Sequence, residues 1–213
     1  APGVLAAARA LDPLARDFGG LCRCQADNAA LRRADTKVRV VFLGDSITEN
    51  WIRADPELFG PGIIDRGISG QTSAQMLVRF RQDVIDLHPR IVHILAGAND
   101  LAGFTGPTTL EAIEANIVST AELAVANHIR VVIASVLPAA RYPWRPAIAP
   151  AIGQLNAFLK VYASRHRVQY VDYHALLVNA EGGMSPADAQ NGVHPTAEAY
   201  RRMRPLAEAA IKG

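Results

Sequence analysis

Five short apolar runs punctuate the chain, at about residues 38–43, 63–66, 91–95, 131–134 and 168–171. Their length and β-branched content suit strands buried on both faces. Between them, apolar residues recur at helical spacing. One stripe is Leu77, Phe80, Val84 and Leu87, with Ser73 as its cap and Pro89 setting its end. A second is Ile113, Ile117, Ala121 and Ala124, opened by a capping box of Thr108 and Glu111. A third is Ile152, Leu155, Leu159 and Tyr162. The last begins near Ala197 and carries Tyr200, Met203 and Leu206, with Pro205 bending it. Strands alternating with helices, without an internal repeat, predict a parallel sheet covered on both faces and joined by right-handed crossovers. The expected strand order is 2-1-3-4-5.

Residues 2–35 are rich in Ala and Arg, with Leu5, Ala8, Leu11 and Leu14 at helical spacing until Pro13 interrupts. They read as a helical lead-in, so the expected organisation is residues 1–36 packed on a single domain of residues 37–213. At 213 residues, half of them hydrophobic, the chain is long enough for one large core. A net charge of +2, with no basic stretch interleaved with aromatics, argues against nucleic acid as partner. No apolar run has the length of a membrane span. Cys22 and Cys24 lack the spacing of a zinc or redox pair, leaving a strained local disulfide or two inert thiols. The sequence starts at Ala1 rather than Met. The expectation is an exported protein, periplasmic or secreted, with cytoplasmic residence the alternative.

Open parallel sheets place their ligands at the carboxyl ends of the strands. The first strand runs into Gly44-Asp45-Ser46-Ile47-Thr48. Two readings compete here: a turn whose Asp45, Ser46 and Thr48 merely cap a helix, or a nucleophile at the mouth of a site. The other turns at that edge favour the second. Gly70, after strand two, offers an unobstructed backbone N–H, and Asn99, after strand three, offers a side-chain amide. With the Ser46 N–H they make three donors for the oxyanion of a tetrahedral intermediate. A serine hydroxyl needs a general base, and His194 lies in the last loop, before the final helix.

Gly44-Asp45-Ser46-Ile47-Thr48, Gly70, Gly97-Ala98-Asn99-Asp100 and His194-Pro195 resemble the four sequence blocks of the GDSL, or SGNH, serine hydrolases. The likeness runs from about residue 38 to 210. It implies an α/β fold, a flavodoxin-like three-layer α/β/α sandwich with a five-stranded parallel sheet. It also implies Ser46 as nucleophile, Ser46, Gly70 and Asn99 as the oxyanion hole, His194 as base, and ester or thioester substrates. Thr48 stands where an α/β-hydrolase elbow has its second glycine, which separates this chain from that class.

One position departs from the resemblance. The residue three before the histidine is normally Asp, the third member of the triad; here it is Asn191. An amide carries no charge to offset the imidazolium and, in one orientation, favours the wrong tautomer. The change is an engineered inactivation, a natural substitution with Asp188 or a backbone carbonyl taking over, or the mark of a poorly active relative. Asn191-Gly192 is also the dipeptide most prone to deamidation.

His93 lies in a predicted strand and reads as a packed core residue. His88, His128, His166 and His174 fall at element ends without paired carboxylates or cysteines, so neither a metal site nor a cofactor is expected. Asp45 and Asp100 read as turn holders. Tyr142 and Trp144, in the loop after strand four, either wall an acyl or sugar pocket or sit on an exposed, proline-stiffened loop. The expected activity is hydrolysis of short-chain, acetyl-type esters through an acyl-enzyme on Ser46, on small molecules or carbohydrates, by a monomer or small homo-oligomer. The alternative is a binding protein for acylated glycans on the same fold, crippled by Asn191.

Overall fold

The computed structural model describes residues 17–140, 142, 147–189 and 191–212. The lead-in helix expected around Leu5 to Leu14 lies outside the described residues. Its later part contains α1 (Gln25–Arg33). Five strands follow, β1 (Val40–Gly44), β2 (Ile63–Gly67), β3 (Ile91–Leu95), β4 (Arg130–Ala134) and β5 (Gln169–Val171). They form one all-parallel sheet in the order β2-β1-β3-β4-β5, as the alternation predicts.

The crossovers are α2 (Ser46–Ala54) between β1 and β2, α3 (Ser73–Asp83) before β3, and α4 (Ala98–Ala102) with α5 (Leu110–Ala126) before β4. Helix α6 (Ala149–His166) precedes β5; α7 (Tyr173–Leu177) and α8 (Ala197–Ile211) complete the chain. The pleat sends alternate side chains to opposite layers. Val41 and Leu43 pack with Met76, Phe80, Ile113, Ile117, Ile152 and Leu155, contributed by α3, α5 and α6. Val40 and Phe42 pack with Ile47, Trp51, Tyr200 and Met203 of α2 and α8. That division makes the three layers. Among the described residues, no helix is long and apolar enough to cross a membrane.

Local boundaries shift where two capping residues stand side by side. Thr72, not Ser73, is the N-cap of α3, in a capping box with Gln75, and Ser73 is the first helical residue. Thr109, not Thr108, caps α5 by accepting the Ala112 N–H. The face of α3 also differs from expectation. Leu77 is only half-buried, whereas Arg79 and Asp83 are fully buried and paired at 3.1 Å. Helix α3 ends at Asp83, so Val84 and Leu87 are buried from beyond its end. Cys22 and Cys24 are free thiols, so the disulfide alternative falls.

Candidate active site

The register brings the working turns together. Gly44 pairs with Gly67 of β2 and with Leu95 of β3, so the three strands end level. The chain after each one emerges at the same edge. Ser46 is the first residue of α2, with Asp45 as N-cap accepting the Ile47 N–H at 2.9 Å. The Ser46 N–H thus belongs to the orphan donors of a helix start, where a developing negative charge is favoured. Gly44 is required for closeness: a Cβ there would stand 2.0 Å from Thr48 Oγ1 and 3.0 Å from the Leu95 carbonyl. Gly70 is required for its backbone, with φ at +79°.

Ser46 Oγ and His194 Nε2 are 2.9 Å apart, across 148 residues of sequence. They face a cavity of about 490 Å³ that Gly70, Asn99, Tyr142 and Asn191 also line. All the expected site residues that the structure describes therefore meet in one place; Trp144 lies outside the described residues. Tyr142 is buried in the wall rather than displayed on the surface. Asn99 sits in the first turn of α4 with its Nδ2 donating to the Gln71 carbonyl at 3.0 Å and, at a longer 3.3 Å, to Asp45 Oδ2.

The departure at position 191 has a defined geometry. Asn191 Oδ1 accepts the backbone N–H groups of Val193 at 3.0 Å and His194 at 2.8 Å. These bonds set which end of the amide faces the ring: Nδ2 lies 2.8 Å from His194 Nδ1. An amide NH₂ only donates, so Nδ1 must be the bare, accepting nitrogen. The proton of the neutral ring then sits on Nε2 and points at Ser46. That is the reverse of what a general base requires. Burial holds the His194 imidazole below its ordinary pKa. Asp188 does not take over from Asn191. Its carboxylate accepts the Ser185 hydroxyl and pairs with Arg202.

Asp45 and Asp100 hold turns, as their positions suggest. Asp100 accepts both the N–H and the hydroxyl of Ser73, fastening the loop after β3 to the start of α3. Asp45 is fully enclosed, and burial, with Asp100 adding to it, pushes its carboxyl up to about 7.

Sequence reading missed three supports. Arg79 Nη2 donates to the Gly44 carbonyl at 3.0 Å and to the Arg66 carbonyl at 2.8 Å, and its Nε donates to Gln71. It ties the ends of β1 and β2 together from beneath. Glu49 of α2 accepts the Ser69 N–H at 2.8 Å and so fixes the turn that presents Gly70. The Tyr200 hydroxyl donates to the Ile47 carbonyl at 2.7 Å, anchoring α8 against the serine helix. Only the Arg beside Met76 and Phe80, with Asp83 four residues on, was a usable signal. Among the described residues, no group of three His, Cys, Asp or Glu side chains is placed to hold a metal ion.

The sequence pattern of the GDSL-like lipase/acylhydrolase family matches residues 42–202. A crystal structure of a candidate acylhydrolase from Bacteroides fragilis NCTC 9343 is similar at 45% identity, with a TM-score of 0.86, covering 92% of this chain and 97% of that one. A GDSL-like lipase from Bacteroides thetaiotaomicron VPI-5482 is similar at 44% identity and a TM-score of 0.85, covering 91% and 98%. An acetylxylan esterase from Geobacillus stearothermophilus shares the fold at 20% identity and a TM-score of 0.64, over 84% and 95% of the two chains. No curated protein sequence matches the chain. With three-quarters of its length inside the family pattern and two solved relatives above 40% identity, the chain belongs to the GDSL-like lipase/acylhydrolase family and is a carboxylic-ester hydrolase.

Proposed function

We propose that the chain hydrolyses short-chain, acetyl-type esters, on small molecules or carbohydrates, through an acyl-enzyme on Ser46. The observation that carries this reading is the 2.9 Å contact of Ser46 Oγ with His194 Nε2 at the mouth of a mostly apolar cavity. In the productive form His194 takes the serine proton while Oγ attacks the ester carbonyl. The oxyanion is received by the N–H groups of Ser46 and Gly70, and by Asn99 Nδ2 once it gives up its long bond to Asp45. His194 then hands the proton to the departing alcohol. A water activated the same way releases the acid. Apolar walls come from Ile47, Phe104, Tyr142 and Val193 and alternate with Asn50, Ser69 and other polar groups. The apolar walls suit the acyl group, and Asn50 and Ser69 offer polar contacts to a hydroxylated alcohol. The acetylxylan esterase on the same fold is consistent with that reading.

A second reading is favoured by the Asn191 amide. With Nδ2 turned to the ring, the resting chain holds its base in the wrong tautomer, as a binding protein for acylated glycans would tolerate. Turnover of p-nitrophenyl acetate by the chain and by Ser46→Ala, beside labelling with a serine-directed fluorophosphonate, separates the two. The esterase reading expects turnover and labelling that both vanish in Ser46→Ala. Unlabelled Ser46 and no turnover, in the chain and in Asn191→Asp alike, would leave the binding protein.

A further inference from the structure

The same geometry that disables His194 is well arranged to repair itself. We infer that Asn191 is a self-processing position: its side-chain amide is lost through a cyclic imide with Gly192, and the carboxylate that results completes the triad. This rests on the esterase reading for its consequence, though not for its chemistry.

Four observations converge on one side chain. Asn191 is followed by glycine, whose backbone nitrogen has no neighbouring Cβ to block its approach to Cγ, and the space around Gly192 is open, with nothing within 4 Å of where a Cβ would stand. Asn191 Oδ1 already receives two backbone N–H groups, from Val193 and His194. Those donors polarise the Cγ carbonyl and would carry the oxyanion of a tetrahedral intermediate at Cγ, the service an oxyanion hole performs for a substrate. The nitrogen that must leave, Nδ2, is held 2.8 Å from the bare His194 Nδ1, which keeps the amide turned with its oxygen towards the two N–H groups and its leaving nitrogen away from them. The side chain is exposed, so water reaches the imide and ammonia escapes. One contact opposes the reaction. The Gly192 N–H is held by the Ala189 carbonyl at 3.1 Å and must release it before attack.

The balance is simple. The Gly192 nitrogen forms a bond to Asn191 Cγ and gives its proton to solvent. The Cγ–Nδ2 bond breaks, and ammonia leaves with a proton taken from water. Water then opens the five-membered imide. Cleavage at Cγ restores the original backbone with an aspartate at position 191, and cleavage at the main-chain carbonyl gives isoaspartate. One ammonia is lost and one water gained, with no oxidant or cofactor.

The aspartate product fits without rearrangement. One carboxylate oxygen keeps the Val193 and His194 N–H bonds. The other replaces Nδ2, and as an acceptor it demands the proton on Nδ1, which bares Nε2 towards Ser46. A single amide-to-acid exchange therefore inverts the tautomer.

The test follows freshly purified chain, Ser46→Ala and Asn191→Gln over days in mildly alkaline buffer made with heavy-oxygen water. Peptide mass analysis separates Asn, Asp and isoAsp at position 191, and p-nitrophenyl acetate turnover is read on the same samples. The folded chain should convert about tenfold or more faster than the urea-unfolded chain, since a positioned oxyanion donor is worth ~10²–10³ and restraint of the loop subtracts from it. Heavy oxygen should enter the product, Ser46→Ala should convert equally, and Asn191→Gln should not convert. Turnover should climb in step with the aspartate fraction towards that of Asn191→Asp. Retention of Asn191 by a chain whose Asn191→Asp variant is active would overturn the self-processing and leave the esterase reading standing. Conversion with no rise in turnover, alongside an inactive Asn191→Asp, would overturn the activation and the esterase reading together.

Discussion

Replacing Asn191 by aspartate should raise kcat/KM by about 10³–10⁴. In the parent chain, His194 becomes a base only if the proton moves to Nδ1, and Nδ1–H cannot face the amide NH₂. Turning the amide over gives up the two N–H···O bonds at 2.8 and 3.0 Å, each worth ~1 kcal/mol net, and leaves two donors facing a third. With the loop partly in water, that amounts to roughly 2–4 kcal/mol. The carboxylate adds attraction for the imidazolium formed in the transition state. This is about 4 kcal/mol at 4 Å and an effective dielectric of 20, and roughly half that where solvent reaches the pair. The sum of ~4–6 kcal/mol, at 1.36 kcal/mol per decade, gives three to four decades. The assay is p-nitrophenyl acetate hydrolysis from pH 5 to 9, with position 191 verified by mass as amide in the parent sample. The pH dependence supplies an independent check. Burial holds the parent His194 below its usual pKa, so its neutral form persists to lower pH. A carboxylate beside Nδ1 favours the charged ring, and the acid limb of the variant should therefore move to higher pH. A variant within about threefold of its parent, with an unmoved acid limb, would refute the tautomer argument.

Gly70→Ala should lower kcat by ~10²–10³ with little change in KM, because φ of +79° is strained for alanine and the N–H proposed to receive the oxyanion must shift. The added Cβ meets only the Phe104 ring at 3.5 Å, so unfolding would point to a different role. Arg79→Met should destabilise the fold by ~3–5 kcal/mol in urea titration, since it strands the buried Asp83 carboxylate and frees the Gly44 and Arg66 carbonyls. A loss under about 1 kcal/mol would show that the pair adds nothing net. His93 is fully buried, bonded to the Tyr173 hydroxyl at 3.0 Å, and pushed by burial down to about 3. Its neutral form stabilises the fold fully above its unfolded pKa, and that contribution falls by ~1.4 kcal/mol per pH unit from about 6.5 down to about 3. Burial raises Asp45 to about 7 and Asp65 to about 6, and these pull stability the other way over part of that range. The His93 slope should therefore be read as the difference between the chain and His93→Gln, and parallel stability curves would refute it.

Much of the architecture was legible because its determinants are local. Val40 to Leu43, and Ile91 to Leu95 apart from His93, are apolar on consecutive positions, which only an element buried on both faces needs, and the structure buries every one of them, His93 included. Alternation with helices then leaves a parallel sheet as the economical topology. That Ser46, Gly70, Asn99 and His194 line one cavity was legible for a related reason: each follows a strand or precedes the last helix, where a parallel sheet gathers its ligand-facing turns. Single-residue choices were less so. Thr72 and Ser73, or Thr108 and Thr109, are neighbouring hydroxyls of equal capping chemistry, and only the paths of the incoming loops select between them.

Tertiary structure alone decided two matters. Periodicity assumes that a buried helix face is apolar, so it turned α3 onto Leu77; Arg79 and Asp83 take that place because the sheet edge presents carbonyls that need a donor, and the resulting pair satisfies itself out of water. The second matter is the meaning of Asn191. Sequence identifies an amide where a carboxylate is usual, but an amide has a donor end and an acceptor end. Which end meets His194 depends on the backbone N–H groups of Val193 and His194, which claim the oxygen and leave the nitrogen for the ring. The composition of the site follows from the order of residues, and its protonation state follows from which hydrogen-bond partners the fold leaves available.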